Sequence, residues 1–120
     1  MSKTSFPITI YHNPACGTSR NTLALLREKG VEPRVVEYLK TGWTRPQLDA
    51  LVAKMGVPAR EILRERGTKA EEMGLTKAGV ADDVILDAMT RDPALVNRPI
   101  VDTPKGAALC RPMDVVLSLI

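Results

Sequence analysis

Apolar positions recur along this chain with two different periods, and the changes of period divide it into elements. Phe6 to Tyr11 and Arg34 to Leu39 are short runs rich in β-branched and aromatic residues, the composition of strands. Between them Leu23 and Leu26 recur at helical spacing, with Thr18 or Ser19 placed to cap the helix and Gly30 placed to end it in a left-handed turn. A strand, a helix and a strand in this order predict a parallel pair joined by a right-handed crossover.

The middle of the chain keeps to the helical period. Thr44-Arg45-Pro46-Gln47 has the spacing of a capping box and precedes Leu48, Leu51, Val52 and Met55, with Gly56 behind them. Pro58 opens a shorter helix that runs through Arg66 with Gly67 behind it, and Asp82 opens another that carries Val84, Ile85, Ala88 and Met89. Alternation then returns. Ile100 to Thr103 and Ala107 to Cys110, separated by Pro104-Lys105-Gly106, predict an antiparallel hairpin, and Pro112 opens a terminal helix with Val115, Val116 and Leu119. The order β-α-β, helical insertion, β-β-α predicts an α/β chain of the thioredoxin-like plan. Its mixed sheet is flanked by helices, and the helical insertion separates the βαβ and ββα halves. At 120 residues the chain suits one domain, residues 1–120, with enough apolar material for its own core.

Charge narrows the function classes. Seventeen basic against fourteen acidic residues leave +3, a mild excess with no Lys/Arg-rich run, so a nucleic-acid partner is not expected. Four aromatic residues in all give little for bases to stack on. Ten of the basic residues are arginine, the side chain that grips oxyanions through paired hydrogen bonds. The first fifteen residues lack the basic and then apolar pattern of a signal peptide, and no run approaches membrane-spanning length. A cytoplasmic location with no membrane association is therefore expected. Cys16 and Cys110 lie far apart in sequence and His12 is the single histidine, which fits neither a disulfide framework nor a zinc site, so no metal is expected.

Candidate chemistry centres on Cys16. It lies in Tyr11-His12-Asn13-Pro14-Ala15-Cys16-Gly17-Thr18-Ser19-Arg20, between the first strand and the first helix. Backbone N–H groups of Gly17, Thr18 and Ser19 at a helix start favour a thiolate and can hold an oxyanion. Buried packing is the alternative for a cysteine at such a junction. His12 lies four residues before the sulfur and can lower its pKa by charge or by a hydrogen bond, or else stand as a solvent-side loop residue. The short gap from Cys16 to Arg20 does not match a tyrosine-phosphatase loop, whose arginine would fall at Thr22. Ser19 stands where a dithiol redox motif has its second cysteine, so turnover must recruit a thiol from elsewhere. Arg98 and Arg111 each precede a proline, which places them in extended backbone at element edges. Pro99 is a candidate cis-proline beside the site. Arg64 lies in the short helix after Pro58. For each arginine the alternative is an exposed ion pair worth at most about 1 kcal/mol. Cys110 reads as a core thiol of the hairpin, with a resolving thiol as its alternative.

The run from Ile10 to Leu23, with Asn97-Arg98-Pro99-Ile100-Val101 and Leu109-Cys110-Arg111-Pro112, resembles the glutathione/glutaredoxin-coupled arsenate reductase (ArsC) family over nearly the whole chain. The resemblance implies a thioredoxin-like fold and reduction of arsenate to arsenite, with glutathione as co-substrate, glutaredoxin as protein partner and no bound cofactor. It implies Cys16 as nucleophile and His12 as the neighbour that lowers its pKa. Arg64, Arg98 and Arg111 are then the arginines that hold arsenate and its arsenite adduct, with Gly17, Thr18, Ser19 and Arg20 in the oxyanion-binding loop. Arg64 is matched through the shorter signature Ile62-Leu63-Arg64. Two other readings share the fold. One is a glutathione-dependent thiol reductase that uses Cys16 on glutathionylated substrates. The other is a regulator similar to the Spx proteins that bind RNA polymerase, against which Ser19 argues because many of those carry a C-x-x-C switch.

Overall fold

The computed structural model describes residues 8–120, and Phe6 and Pro7 of the predicted first strand lie outside them. Chain contacts divide the protein into two compact units. The first is formed by the chain up to Tyr38 together with Arg98–Ile120, and the second by Leu39–Asn97.

The first unit is built on a four-stranded mixed sheet in the order β2-β1-β3-β4. Strand β1 (Thr9–His12) pairs in parallel with β2 (Arg34–Glu37) across the crossover helix α1 (Gly17–Glu28), in a register that sets His12 beside Glu37. β3 (Ile100–Thr103) runs antiparallel to β1 and forms a hairpin with β4 (Gly106–Leu109). Alternation along β1 sends Ile8 and Ile10 to one face, where they join Val101, Cys110, Leu23 and Leu26 of α1, and Val116 and Leu119. Ile10, Leu26, Val101 and Val116 are fully buried, each side chain contributing about 1.5–3 kcal/mol relative to exposure. Helix α1 ends as its sequence predicts. Gly30 takes a φ of 82°, its N–H bonds Arg27 O, and Val31 N–H bonds Leu26 O, so the last carbonyls of the helix are satisfied.

The second unit contains the single-turn α2 (Tyr38–Thr41, shared at its first residue with the first unit), α3 (Arg45–Met55) and α4 (Asp82–Arg91). Thr44 and Gln47 form the predicted capping box of α3, with Gly56 left-handed at its end. α4 packs on α3 and on two 3-10 turns, Ala59–Ile62 and Pro93–Leu95.

Three expectations are corrected. The helix after Pro58 is a 3-10 turn that stops at Ile62, because Leu63 pairs with Val96 as an antiparallel bridge, with Arg64 N–H on Leu95 O at 2.7 Å and Asn97 N–H on Ile62 O at 2.8 Å. Arg64 therefore lies beyond that turn, outside any helix. Val84 lies on the exposed side of α4, where Leu86 is buried in its place beside Ile85, Ala88 and Met89. The terminal helix is 3-10 (Met113–Leu119), and Thr103 Oγ donates to Leu119 O at 2.8 Å near its end.

Candidate active site

Local sequence places Cys16. Asn13 and Pro14 stop β1, and the Asn13 side chain closes a tight turn, its Oδ1 accepting the Ala15 N–H at 2.9 Å. The Asn13 carbonyl accepts the Cys16 N–H at 3.0 Å. Cys16 then sits at the N-cap of α1 in extended backbone, and its own carbonyl takes the Arg20 N–H at 2.9 Å. The cap is one residue type away from the usual serine, and Thr18 and Ser19 lie inside the first turn.

The sulfur has cationic surroundings. Arg111, directly after the hairpin, brings Nη1 to 3.7 Å from Cys16 Sγ and also donates to Arg98 O at 3.1 Å. Burial alone raises the Cys16 pKa. The Ser19 backbone N–H, the charge of Arg98 and hydrogen bonds from Arg111 and Arg98 outweigh it, and the net position is below the ordinary thiol value. Both the Arg98–Pro99 and Arg111–Pro112 peptides are cis, so Pro99 is the cis-proline that the sequence suggests. Cys16, Arg98 and Arg111 belong to the same unit, drawn from the loop after β1 and from the two open ends of the β3–β4 hairpin.

His12 is buried, not a solvent-side loop residue, and its Nδ1 lies 2.6 Å from Ser19 Oγ. Burial pushes its pKa below 6.5; Glu37 opposes this, and the charges of Arg27 and Arg20 add to it. The ring is therefore neutral at pH 7, and the positive charge beside the sulfur comes from the arginines. Arg20 is exposed, donates from Nη1 to Pro14 O at 2.8 Å and lies over Gly17. The oxyanion-binding role assigned to it competes with this brace on the loop. Gly17 and Thr18 supply the first two N–H groups of α1. Arg64 belongs to the second unit, where its carbonyl accepts the Thr68 hydroxyl at 2.7 Å. Cys110 is fully buried and its pKa is pushed up to about 12 by burial, which makes it a core thiol. The residue that sequence reasoning left without a role is Asn13. An Asn directly before Pro at the end of a strand is a turn signal, and here it sets the loop that presents the cysteine.

Among the described residues no group of three or more His, Cys, Asp or Glu side chains is placed to hold a metal ion, and no helix is long and apolar enough to cross a membrane. A neutral histidine behind the loop and two guanidiniums beside a low-pKa sulfur suit nucleophilic attack on a tetrahedral oxyanion.

Known proteins share this arrangement of chain. An arsenate reductase of Rhizobium meliloti is 52% identical over 113 residues, which span 94% of this chain and 81% of that protein. An arsenate reductase of Escherichia coli (strain K12) is 51% identical over 113 residues, 94% of this chain and 80% of that one. The solved structure of an arsenate reductase from Vibrio cholerae superposes with a TM-score of 0.92 at 35% identity, covering 98% of this chain and 100% of that chain. The four-stranded mixed sheet with its flanking helices is thus the thioredoxin-like fold of these enzymes. Residues 11–119 match the family described as ArsC, and with that match the chain belongs to the ArsC family.

Proposed function

We propose that this protein is an arsenate reductase, an oxidoreductase that converts arsenate to arsenite through Cys16 with glutathione and glutaredoxin as reductants. The observation that carries the reading is the sulfur itself, with Arg111 Nη1 at 3.7 Å and its pKa held below the ordinary thiol value. Similarity to named arsenate reductases over 94% of the chain supports the substrate.

In the reaction, Arg98, Arg111 and the N–H groups of Gly17, Thr18 and Ser19 neutralise the arsenate oxygens. The Cys16 thiolate attacks arsenic, an S–As bond forms, and one oxygen leaves as water. A glutathione thiol replaces a second oxygen, again as water. The glutaredoxin thiolate then attacks the glutathione sulfur, the S–As bond to glutathione breaks, and its electron pair stays on arsenic, which becomes As(III). Water releases arsenite and returns the Cys16 thiol. A second glutathione frees glutaredoxin, so arsenate and two glutathiones give arsenite, oxidised glutathione and one water. One protein cysteine suffices, consistent with Ser19 at the position of a second thiol and with Cys110 held in the core. The cytoplasm, where glutathione is kept reduced, is the compartment that fits this chemistry.

Arsenate-dependent NADPH oxidation, coupled through glutathione reductase with glutathione and glutaredoxin present, tests the proposal. Wild type should turn over, and Cys16→Ser should fall to background while retaining its circular dichroism, since a hydroxyl is a far poorer nucleophile at neutral pH. Wild-type protein inert towards arsenate would sink the substrate, and turnover retained in Cys16→Ser would sink the nucleophile.

A further inference from the structure

The Ser19 hydroxyl has no part in the scheme above, yet three pieces of the site meet on it. Its Oγ lies 2.6 Å from His12 Nδ1 and accepts the Asn13 backbone N–H at 3.1 Å, and Ser19 is fully buried. The Ser19 hydroxyl has one proton to give, and with the His12 ring neutral and its proton on Nε2, Nδ1 at 2.6 Å is positioned to accept it. This tautomer is the one the proposal below takes. The same residue is third in α1, where its backbone N–H faces the Cys16 sulfur. One side chain therefore fixes the end of β1, the start of the Asn13 turn and the helical turn whose N–H meets the thiolate.

We propose that Ser19 is a positioning residue for Cys16, and that His12 acts on the sulfur through the Ser19 hydroxyl, as a neutral hydrogen-bond acceptor and not as a cation beside the thiolate. The proposal rests on Cys16 as the nucleophile of the reading above, but not on the identity of the oxyanion. The charged groups around the pair are Glu37 on β2 and Arg27 and Arg20 on α1, and those around the sulfur are Arg98 and Arg111.

The test is the pH dependence of Cys16 alkylation by iodoacetamide in the full chain, with the modified peptide identified by mass spectrometry so that Cys110 is scored separately. Ser19→Ala and His12→Ala should each raise the Cys16 pKa by a similar amount. Alkylation in mildly acidic buffer should fall by roughly tenfold for each pKa unit, because the thiolate is the reacting species. The double variant should fall no further than either single one, since both break the same link. His12→Asn is the discriminating variant. Its Oδ1 can stand near the place of Nδ1 and accept the Ser19 proton without ever carrying charge, so it should stay close to wild type. Equal losses in His12→Asn and His12→Ala would return the role to a histidine cation. An unchanged pKa in Ser19→Ala, or additive losses in the double variant, would also overturn the proposal. The expected alkylation pattern in a protein that shows no arsenate turnover would end the arsenate reading and leave this one standing.

Discussion

Two opposing influences meet at Cys16. Its burial favours the neutral thiol, while Ser19 N–H, Arg98 and Arg111 favour the thiolate and win. The two arginines act on the sulfur, and in the proposed reaction they also hold the substrate, so removing either should show in two measurements. Arg111→Ala should shift the alkylation profile of Cys16 to higher pH and raise KM for arsenate. Arg111→Lys should restore much of the first effect and little of the second, since a point charge stabilises a thiolate but lacks the paired donors that suit an oxyanion. An Arg111→Lys enzyme with wild-type KM would remove the arginine from substrate binding. At this scale the sequence was informative about Cys16, Arg98 and Arg111, whose contexts at a strand-to-helix junction and before prolines limit where they can stand. It was silent on the state of His12. That depends on burial and on Glu37, a neighbour fixed by the pairing of β1 with β2 and not by local spacing.

Helix α1 illustrates how an element can be built for its end and not for its stability. It has no acidic residue in its first turn, and its N-cap is a cysteine, whereas both an acid and a Ser or Asp cap would stabilise the helix. Thr18→Asp is expected to reveal the conflict. The new carboxylate should stabilise the helix by about 0.3–1 kcal/mol through the macrodipole, seen as a higher melting temperature. It should also raise the Cys16 pKa and weaken arsenate binding, because two anions then share one positive terminus. A variant that gains stability and keeps its alkylation profile would show that the helix terminus contributes nothing to the thiolate. The main elements were legible from sequence because they carry local signals: the Thr44–Gln47 box, Gly30, Gly56 and the Pro104-Lys105-Gly106 turn. The stretch after Pro58 was not. Leu63 and Val96 pair across more than thirty residues of sequence, and no local pattern announces a long-range bridge. The terminal segment has the apolar spacing of a helix but not the information that separates a 3-10 from an α ladder.

Over the molecule, the work is divided unevenly. The first unit holds Cys16, Arg98 and Arg111, and the second is held internally by its own polar clasp. There Arg45 of α3 binds Asp49 of the same helix and Asp83 and Asp87 of α4, and these three carboxylates raise its pKa. Arg45→Met keeps much of the stem but leaves the carboxylates facing one another. It should lower the melting temperature more at neutral than at acidic pH, less in high salt, and leave kcat unchanged. A melting temperature that stayed level across those conditions would mean the clasp contributes nothing.

Acid should also act on the whole fold through His12. Its folded-state pKa lies below 6.5, so the unfolded chain binds the proton more readily, and stability is lost as pH falls through 6.5 towards the folded value. Compared with His12→Asn, wild type should lose ground in urea unfolding as the buffer is acidified below 6.5, with a constant difference above it. Parallel stability curves for the two proteins would show that the histidine charges as easily folded as unfolded.

The β3–β4 hairpin has a consequence at a distance from the sulfur. Arg98 and Arg111 stand at its two open ends, and Cys110 N–H bonds Pro99 O at 2.9 Å, so the rung that closes the ladder also spaces the guanidiniums. That rung is counted from the far end, where Thr103 opposes Gly106 and Gly106 adopts a φ of 153°. One residue added to the turn would slide the strands by about 3.4 Å and turn every side chain of the displaced strand to the opposite face. The alignment of the two arginine-bearing ends is therefore set by the length of a turn at the opposite end of the hairpin, and under the proposed function a length change there should be felt in arsenate binding.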